Sequence, residues 1–207
     1  MRAIVTLFAA ALLHAGANAQ GDDPEQLRKA LEEMPMNTFR VIGSQLVCKQ
    51  NKPVPNYNAC LRIGQIRIGD SYPDLRERYP KPWKEVPQDG GVTATVFVIA
   101  ATKVVQAYWV IGHGDGKIVS IQLTGNYSHP DFAFSTIQLD DSEEKVIAVL
   151  GERRQITPVR EVDGVMWDYQ PFPISVQFVH GKVYSIKVAA PAGDTAPQGS
   201  ATDGKRP

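Results

Sequence analysis

The sequence predicts an α+β fold: two tandem helix-plus-antiparallel-meander repeats forming one sheet, with helices on one face. Three observations predict it. "DGKIVSIQL", Asp115 to Leu123, recurs as "HGKVYSIKV", His180 to Val188, 65 positions later. Upstream, "IRIGDSYPDLRERYP" from Ile66 aligns with "IQLDDSEEKVIAVLG" from Ile137 at an offset of 71. Between these matches each copy carries runs of period-two alternation, the signature of half-buried strands.

The elements follow in order. Residues 1–19 are expected to be a cleaved secretory signal peptide: Arg2 is followed by an apolar run from Ala3 to Leu13 and by Ala17-Asn18-Ala19, a small-x-small cleavage pattern. The run is too short to span a bilayer, and no cysteine follows the cleavage point to make a lipobox. The expected compartment is therefore the periplasm or the exterior. Residues 20–65 hold an N-terminal helix, Asp23 to Met34, opened by Pro24 and turning Leu27 and Leu31 inward. A strand from Thr38 to Ile42 and a polar, proline-broken loop follow. An oxidising compartment makes Cys48 and Cys60 a disulfide. Closing a loop of this size stabilises by roughly 3 kcal/mol in the chain-entropy model.

Repeat 1 occupies residues 66–124, a linker 125–136, and repeat 2 residues 137–189. Asp70-Ser71 and Asp141-Ser142 supply helix caps, since their side-chain oxygens can accept from the unpaired N–H groups of a first turn. Tyr72, Leu75 and Tyr79 line one face of the first helix, and Val146, Val149 and Leu150 one face of the second. Pro80 and Gly151 end them. Three strands follow each helix: Val92–Ile99, Lys103–Ile111 and Lys117–Thr124, then Val165–Gln170, Ile174–His180 and Lys182–Ala189. One such unit buries too little apolar surface to stand alone, and joining two supplies the missing core. Residues 190–207, rich in Pro, Gly, Ala, Ser and Thr, form an expected disordered tail.

The order of lead-in strand, Asp-Ser helix start, helix, hairpin and final "GKV-x-x-I" resembles the tandem-repeat β-lactamase inhibitor protein fold and the related SmpA/OmlA-type envelope modules. The resemblance covers Ile66 to Val188. It implies a non-catalytic exported module that binds a protein, either as a part of the cell envelope or as an inhibitor of a secreted or periplasmic enzyme. The candidate inhibitory loops are Gly114–Gly116 and Glu161–Gly164.

Charge excludes one class of partner. Removing residues 1–19 takes away Arg2 alone, leaving a net charge of −1, which gives no footprint for nucleic acid. Catalytic residues are thin: no nucleophile elbow, HExxH or phosphate-binding glycine loop occurs, so no catalytic, metal or cofactor site is assigned. His129 with Asp131 in "SHPD" could form half of an acid–base pair, the footing for a third and least supported reading, a small hydrolase, but "HPD" reads more easily as a turn with a polar cap. Trp83, Trp109 and Trp167 are assigned to packing.

A sheet covered by helices on one side leaves its other face for binding. Alternation puts Val119, Ile121 and Leu123, like Tyr184, Ile186 and Val188, on the core side. It puts Ser120, Gln122, Ser185 and Lys187 outward. The same parity turns Gln106, Tyr108, Thr95 and Phe97 outward, with Asp168, Gln170 and Gln177 beside them. The candidate protein-binding surface is thus Phe97, Tyr108, Gln106, Gln122, Asp168 and Lys187, with the two aromatic rings as anchors in a polar rim.

Overall fold

In a computed structural model, which describes residues 24–34, 38–42, 45–49, 60–152 and 155–191, the chain is α+β and dominated by one antiparallel sheet. The expected signal peptide, most of the disulfide-clamped loop and nearly all of the tail lie outside the described residues. Helix α1 (Pro24–Glu33) and a hairpin of β1 (Phe39–Ile42) and β2 (Gln45–Cys48) come first. Cys48 and Cys60 are bonded, their Cα atoms 6.1 Å apart. A second small hairpin, β3 (Arg62–Ile63) and β4 (Ile66–Arg67), leads into α2 (Tyr72–Arg78).

Four strands follow α2: β5 (Lys84–Pro87), β6 (Thr93–Ala101), β7 (Gln106–Gly114) and β8 (Lys117–Gly125). Helix α3 (Glu143–Leu150) is likewise followed by four: β9 (Gln155–Val159), β10 (Gly164–Asp168), β11 (Ile174–Val179) and β12 (Lys182–Ala189). Sequence predicts three strands after each helix, so β5 and β9 are additions. They are the two edges of an eight-stranded sheet of order β5-β6-β7-β8-β12-β11-β10-β9. Its middle is the pairing of β8 with β12, the two strands of near-identical sequence. Their register matches Ser185 with Thr124, Lys187 with Gln122 and Ala189 with Ser120.

The helices start as the sequence predicts. Ser71 accepts from Asp74 N, and Ser142 from Lys145 N, each at 3.4 Å. Asp70 Oδ2 accepts from Arg67 N at 3.0 Å, and Asp141 Oδ2 from Gln138 N at 2.7 Å. The chain before each helix is tied to the last strand of its own meander. Gly69 N donates to Ile118 O and Ile118 N to Asp70 O; Asp140 N donates to Val183 O and Val183 N to Asp141 O. Gly69 and Asp140 share a positive φ, 88° and 70°, a conformation that Asp tolerates better than most side chains.

One face of the sheet makes the core. Trp109, Ile111, Ile121, Leu123, Trp167, Val176, Phe178, Ile186 and Val188 are buried there, and Leu75 of α2 with Val146 and Leu150 of α3 close over them. Trp109 and Trp167 pack as expected. Val119 and Tyr184 do not join this face. Each sits where the ladder shifts register, between Gly112 and His113 and between Gln177 and Phe178, so Ile118 and Val183 take the core positions. A bulge turns one residue of a strand out of the alternation, which sequence parity cannot foresee.

Candidate functional site: the open face of the sheet

Register lays the other face out in rows. One row crosses all eight strands: Gln155, Asp168, Ser175, Lys187, Gln122, Val110, Val96 and Lys84. The next holds Thr157, Met166, Gln177, Ser185, Thr124, Tyr108 and Val98. Gln122 Nε2 donates to Ser185 Oγ at 2.9 Å, fixing the polar centre. Of the six residues predicted to bind, Tyr108, Gln106, Gln122, Asp168 and Lys187 share this face.

Phe97 does not, and its assignment is corrected. It is 4% exposed on the core side, edge-on to Tyr79 at 6.0 Å, with Tyr79 in turn 5.5 Å from Trp109. Thr95 is inverted with it and is fully buried. The cause is physical: β6 carries apolar residues at both parities, so alternation is ambiguous, and burying a phenyl ring gains more than burying a valine. Valines 96 and 98 therefore take the outer face, Val98 at 45% exposure.

A different ring replaces Phe97. Trp83, assigned from sequence to packing, is 67% exposed and lies 5.9 Å from Tyr108 at an interplanar angle of 33°. Its backbone N–H donates to Val96 O at 2.8 Å, which holds it to the edge of the sheet. Its position just before a four-residue edge strand gave no alternation to read.

Two shallow hollows of about 230 Å³ each open on or beside this face. The first is lined by Lys103, Val104, Gln106, Tyr108, Asn126 and the bulge residue Tyr184. Asn126 braces it, accepting from Gln106 N at 2.7 Å and donating to Val104 O at 2.9 Å. Gly125 lies at its floor with φ 133°, and a Cβ there would run into Gln106 O. Asp168, Gln170, Ser175 and Lys187 contribute to the second hollow, where Ser175 Oγ donates to Asp168 Oδ1 at 2.6 Å.

On the opposite side of the sheet lies a polar cluster that the sequence did not reveal. Tyr72 Oη is 2.9 Å from Thr95 Oγ1, which is 3.1 Å from His113 Nε2. Tyr72 Oη also donates to Glu85 Oε1 at 3.3 Å, and Arg76 Nη2 is 3.9 Å from the same oxygen. The Tyr72 and His113 rings stack, their centroids 3.4 Å apart. Burial raises the Tyr72 pKa above its ordinary value and lowers that of His113. Four segments meet here, α2, β5, β6 and β7, which is why no local motif marks it.

His129 is a cap. Its Nδ1 accepts from Asp131 N at 3.2 Å at the start of the short 3-10 turn Pro130–Phe132. Among the described residues no group of three or more His, Cys, Asp or Glu is arranged to hold a metal ion. None of their helices is long and apolar enough to cross a membrane.

No protein-family model matches the chain, and no curated protein matches it. Similar solved structures include a cysteine-rich secretory protein of Staphylococcus aureus, at 14% identity and TM-score 0.40, over 59% of this chain and 44% of that one. A DUF4309 family protein of Bacillus subtilis has 16% identity and TM-score 0.39, over 63% and 82%. An extracellular protein of Bacillus anthracis containing an SCP domain has 11% identity and TM-score 0.41, over 70% and 50%. The chain thus spans about half the length or less of the first and third. Likeness at this level carries no argument about what the chain does.

Proposed function

We propose that the chain is an exported, non-catalytic protein-binding module of the bacterial cell envelope, built by duplication of a helix-plus-meander unit and binding through the open face of its sheet. The observation that carries the binding reading is the Trp83–Tyr108 ring pair, with one ring 67% exposed on a structured scaffold beside a braced hollow. Aromatic side chains supply large contact area at low entropic cost, so a pair of this kind fits an anchor of binding energy.

Register supports the duplication. The sequence offset of 65 makes Ser120 the counterpart of Ser185, and Thr124 that of Ala189. Ser185 pairs with Thr124 and Ala189 with Ser120, so each pairing is the mirror of another, about a centre at Gln122 and Lys187. Such reciprocity is what an isologous contact between two like units produces. The matched caps and the matched ties from Gly69 and Asp140 favour the same origin. The resemblance to the tandem-repeat β-lactamase inhibitor protein and SmpA/OmlA-type modules rests on this reading. Export rests on the leader pattern of residues 1–19 and agrees with the Cys48–Cys60 bond.

An inhibitor of a secreted enzyme is the second reading. It is favoured by the Gly114–Gly116 turn, which Tyr72 N ties down by donating to Gly116 O at 2.9 Å, a preorganised loop suited to entering a cleft. Affinity capture from an envelope extract, with partners identified by mass spectrometry, separates the two. Trp83→Ala and Tyr108→Ala should each lose the partner while circular dichroism stays native. Retention of the same partner by both variants, with loss in Asp115→Ala, would transfer the site to the turn.

A further inference from the structure

We infer that the open face takes an acidic protein segment that also carries apolar side chains. This rests on the reading of that face as the binding surface and adds the chemistry of what it binds. The chain as a whole is balanced, with 22 basic and 22 acidic residues, yet the face is not. Lys84 and Lys187 lie on one cross-strand row and Lys103 lines the first hollow, all three exposed. Among the described residues, Asp168 is the only acid that the ladders put on this face, and Ser175 already donates to its Oδ1. Glu85, next to Lys84, faces the other way into the Tyr72 cluster.

The apolar half of the demand is set by neighbours of the ring pair. Val98, the cross-strand partner of Tyr108, is 45% exposed, and Val104, which lines the same hollow as Tyr108, is 77% exposed. Apolar surface left uncovered beside cations is met by a partner that offers carboxylates and alkyl or aromatic groups together. A protein segment offers both. An acidic polysaccharide offers the charge and leaves the valines wet.

The test uses fluorescein-labelled synthetic peptides of about ten residues, enough at about 3.3 Å per residue to cross strands spaced about 4.8 Å apart. One alternates Glu and Leu, one Lys and Leu, and one Glu and Ser; alginate is the polysaccharide arm. Fluorescence anisotropy should show saturable, salt-sensitive binding of the Glu/Leu peptide alone. Lys84→Glu, Lys103→Glu and Lys187→Glu should each weaken it on the order of fivefold. Equal binding of the Lys/Leu peptide, or no binding of any peptide, overturns the inference. So does equal binding of the Glu/Ser peptide or alginate, which would make the face a general polyanion surface. If Trp83→Ala abolishes binding and the charge reversals do nothing, the face is the site and its partner is not acidic. If binding occurs and neither kind of variant alters it, the site itself lies elsewhere.

Discussion

Thr95→Val and His113→Phe together test whether the half-buried polar cluster beside α2 acts as one unit. Thr95 Oγ1 is shared by Tyr72 Oη at 2.9 Å and His113 Nε2 at 3.1 Å. Valine keeps the shape and removes the oxygen. Tyr72 then still has Glu85 at 3.3 Å, so the group stripped of its partner is the histidine nitrogen. A buried polar group left unpaired costs about 1–3 kcal/mol. His113 is half-buried and can recruit some water, which sets the expectation for Thr95→Val at about 1–2 kcal/mol. His113→Phe leaves Thr95 bonded to Tyr72 and should cost about 0.5–1.5 kcal/mol.

In the double variant neither position holds a polar group in need of the other. The corresponding ladder positions in the second meander are already apolar: Trp167 and Phe178, ring centroids 4.3 Å apart. The two substitutions should therefore couple favourably by on the order of 1 kcal/mol. Urea unfolding of the four proteins at neutral pH measures it, and additivity within about 0.3 kcal/mol would falsify the idea of a shared network. Acid gives a second readout. Burial lowers the His113 pKa, Glu85 opposing and Arg76 assisting, so the folded protein prefers the neutral ring. The stability tied to that ring is complete above the unfolded value of about 6.5 and is lost as the pH falls from there through the lowered folded value. His113→Phe should remove that loss; the same acid sensitivity in wild type and variant would refute the assignment.

Gly125→Ala, forced to φ 133° with its Cβ against Gln106 O, should destabilise by about 2–4 kcal/mol in urea unfolding, and a cost below about 0.5 kcal/mol would mean the strands can part there. Ser71→Ala and Ser142→Ala each remove one helix cap and should cost about 1 kcal/mol apiece, additively, since the two helices cap at separate sites. Intact mass of the exported protein should rise by two hydrogens on reduction; no change would eliminate the Cys48–Cys60 bond.

What the sequence made legible follows from how strongly each segment separates its two faces. In β8 and β12 polar and apolar residues alternate from Ser120 and Ser185 onward; β12 fell on its predicted residues, β8 ran one residue further to Gly125, and both lie in an antiparallel sheet as expected, although Val119 and Tyr184 left the predicted parity. Ser71 and Ser142 were readable because capping is a local interaction. β6 was not, because Thr, Val, Phe and Ile occupy both parities and only the packing of Phe97 decides between them. β5 and β9 lack any buried residue and each includes a proline, so neither periodicity nor composition marks them as strands. The Tyr72–Glu85–Thr95–His113 cluster is assembled across four elements, and nothing in the spacing of those residues anticipates it. Tyr184 reached the open face through a bulge, a ladder irregularity that has no signature in sequence.

The two edges bear on where a partner can bind. Exposed edge strands are the usual place for an incoming chain to add by main-chain hydrogen bonds. Gln88 N donates to Val92 O, so the outward-facing amides of β5 belong to Glu85 and Pro87, and proline has none. One outward amide remains on a four-residue edge. At the other end of the sheet β9 carries Pro158 opposite Val165. Strand addition is thereby disfavoured at the β5 edge, and a proline interrupts the β9 strand as well, which is consistent with the proposed side-chain recognition across the face. Pro87→Thr restores the missing donor without touching Trp83 or Tyr108. If face recognition operates, partner affinity in this variant should stay within about twofold of wild type. A gain of tenfold or more would reveal an edge-addition mode that Pro87 had been suppressing, and would move the primary contact from the rings to the β5 backbone.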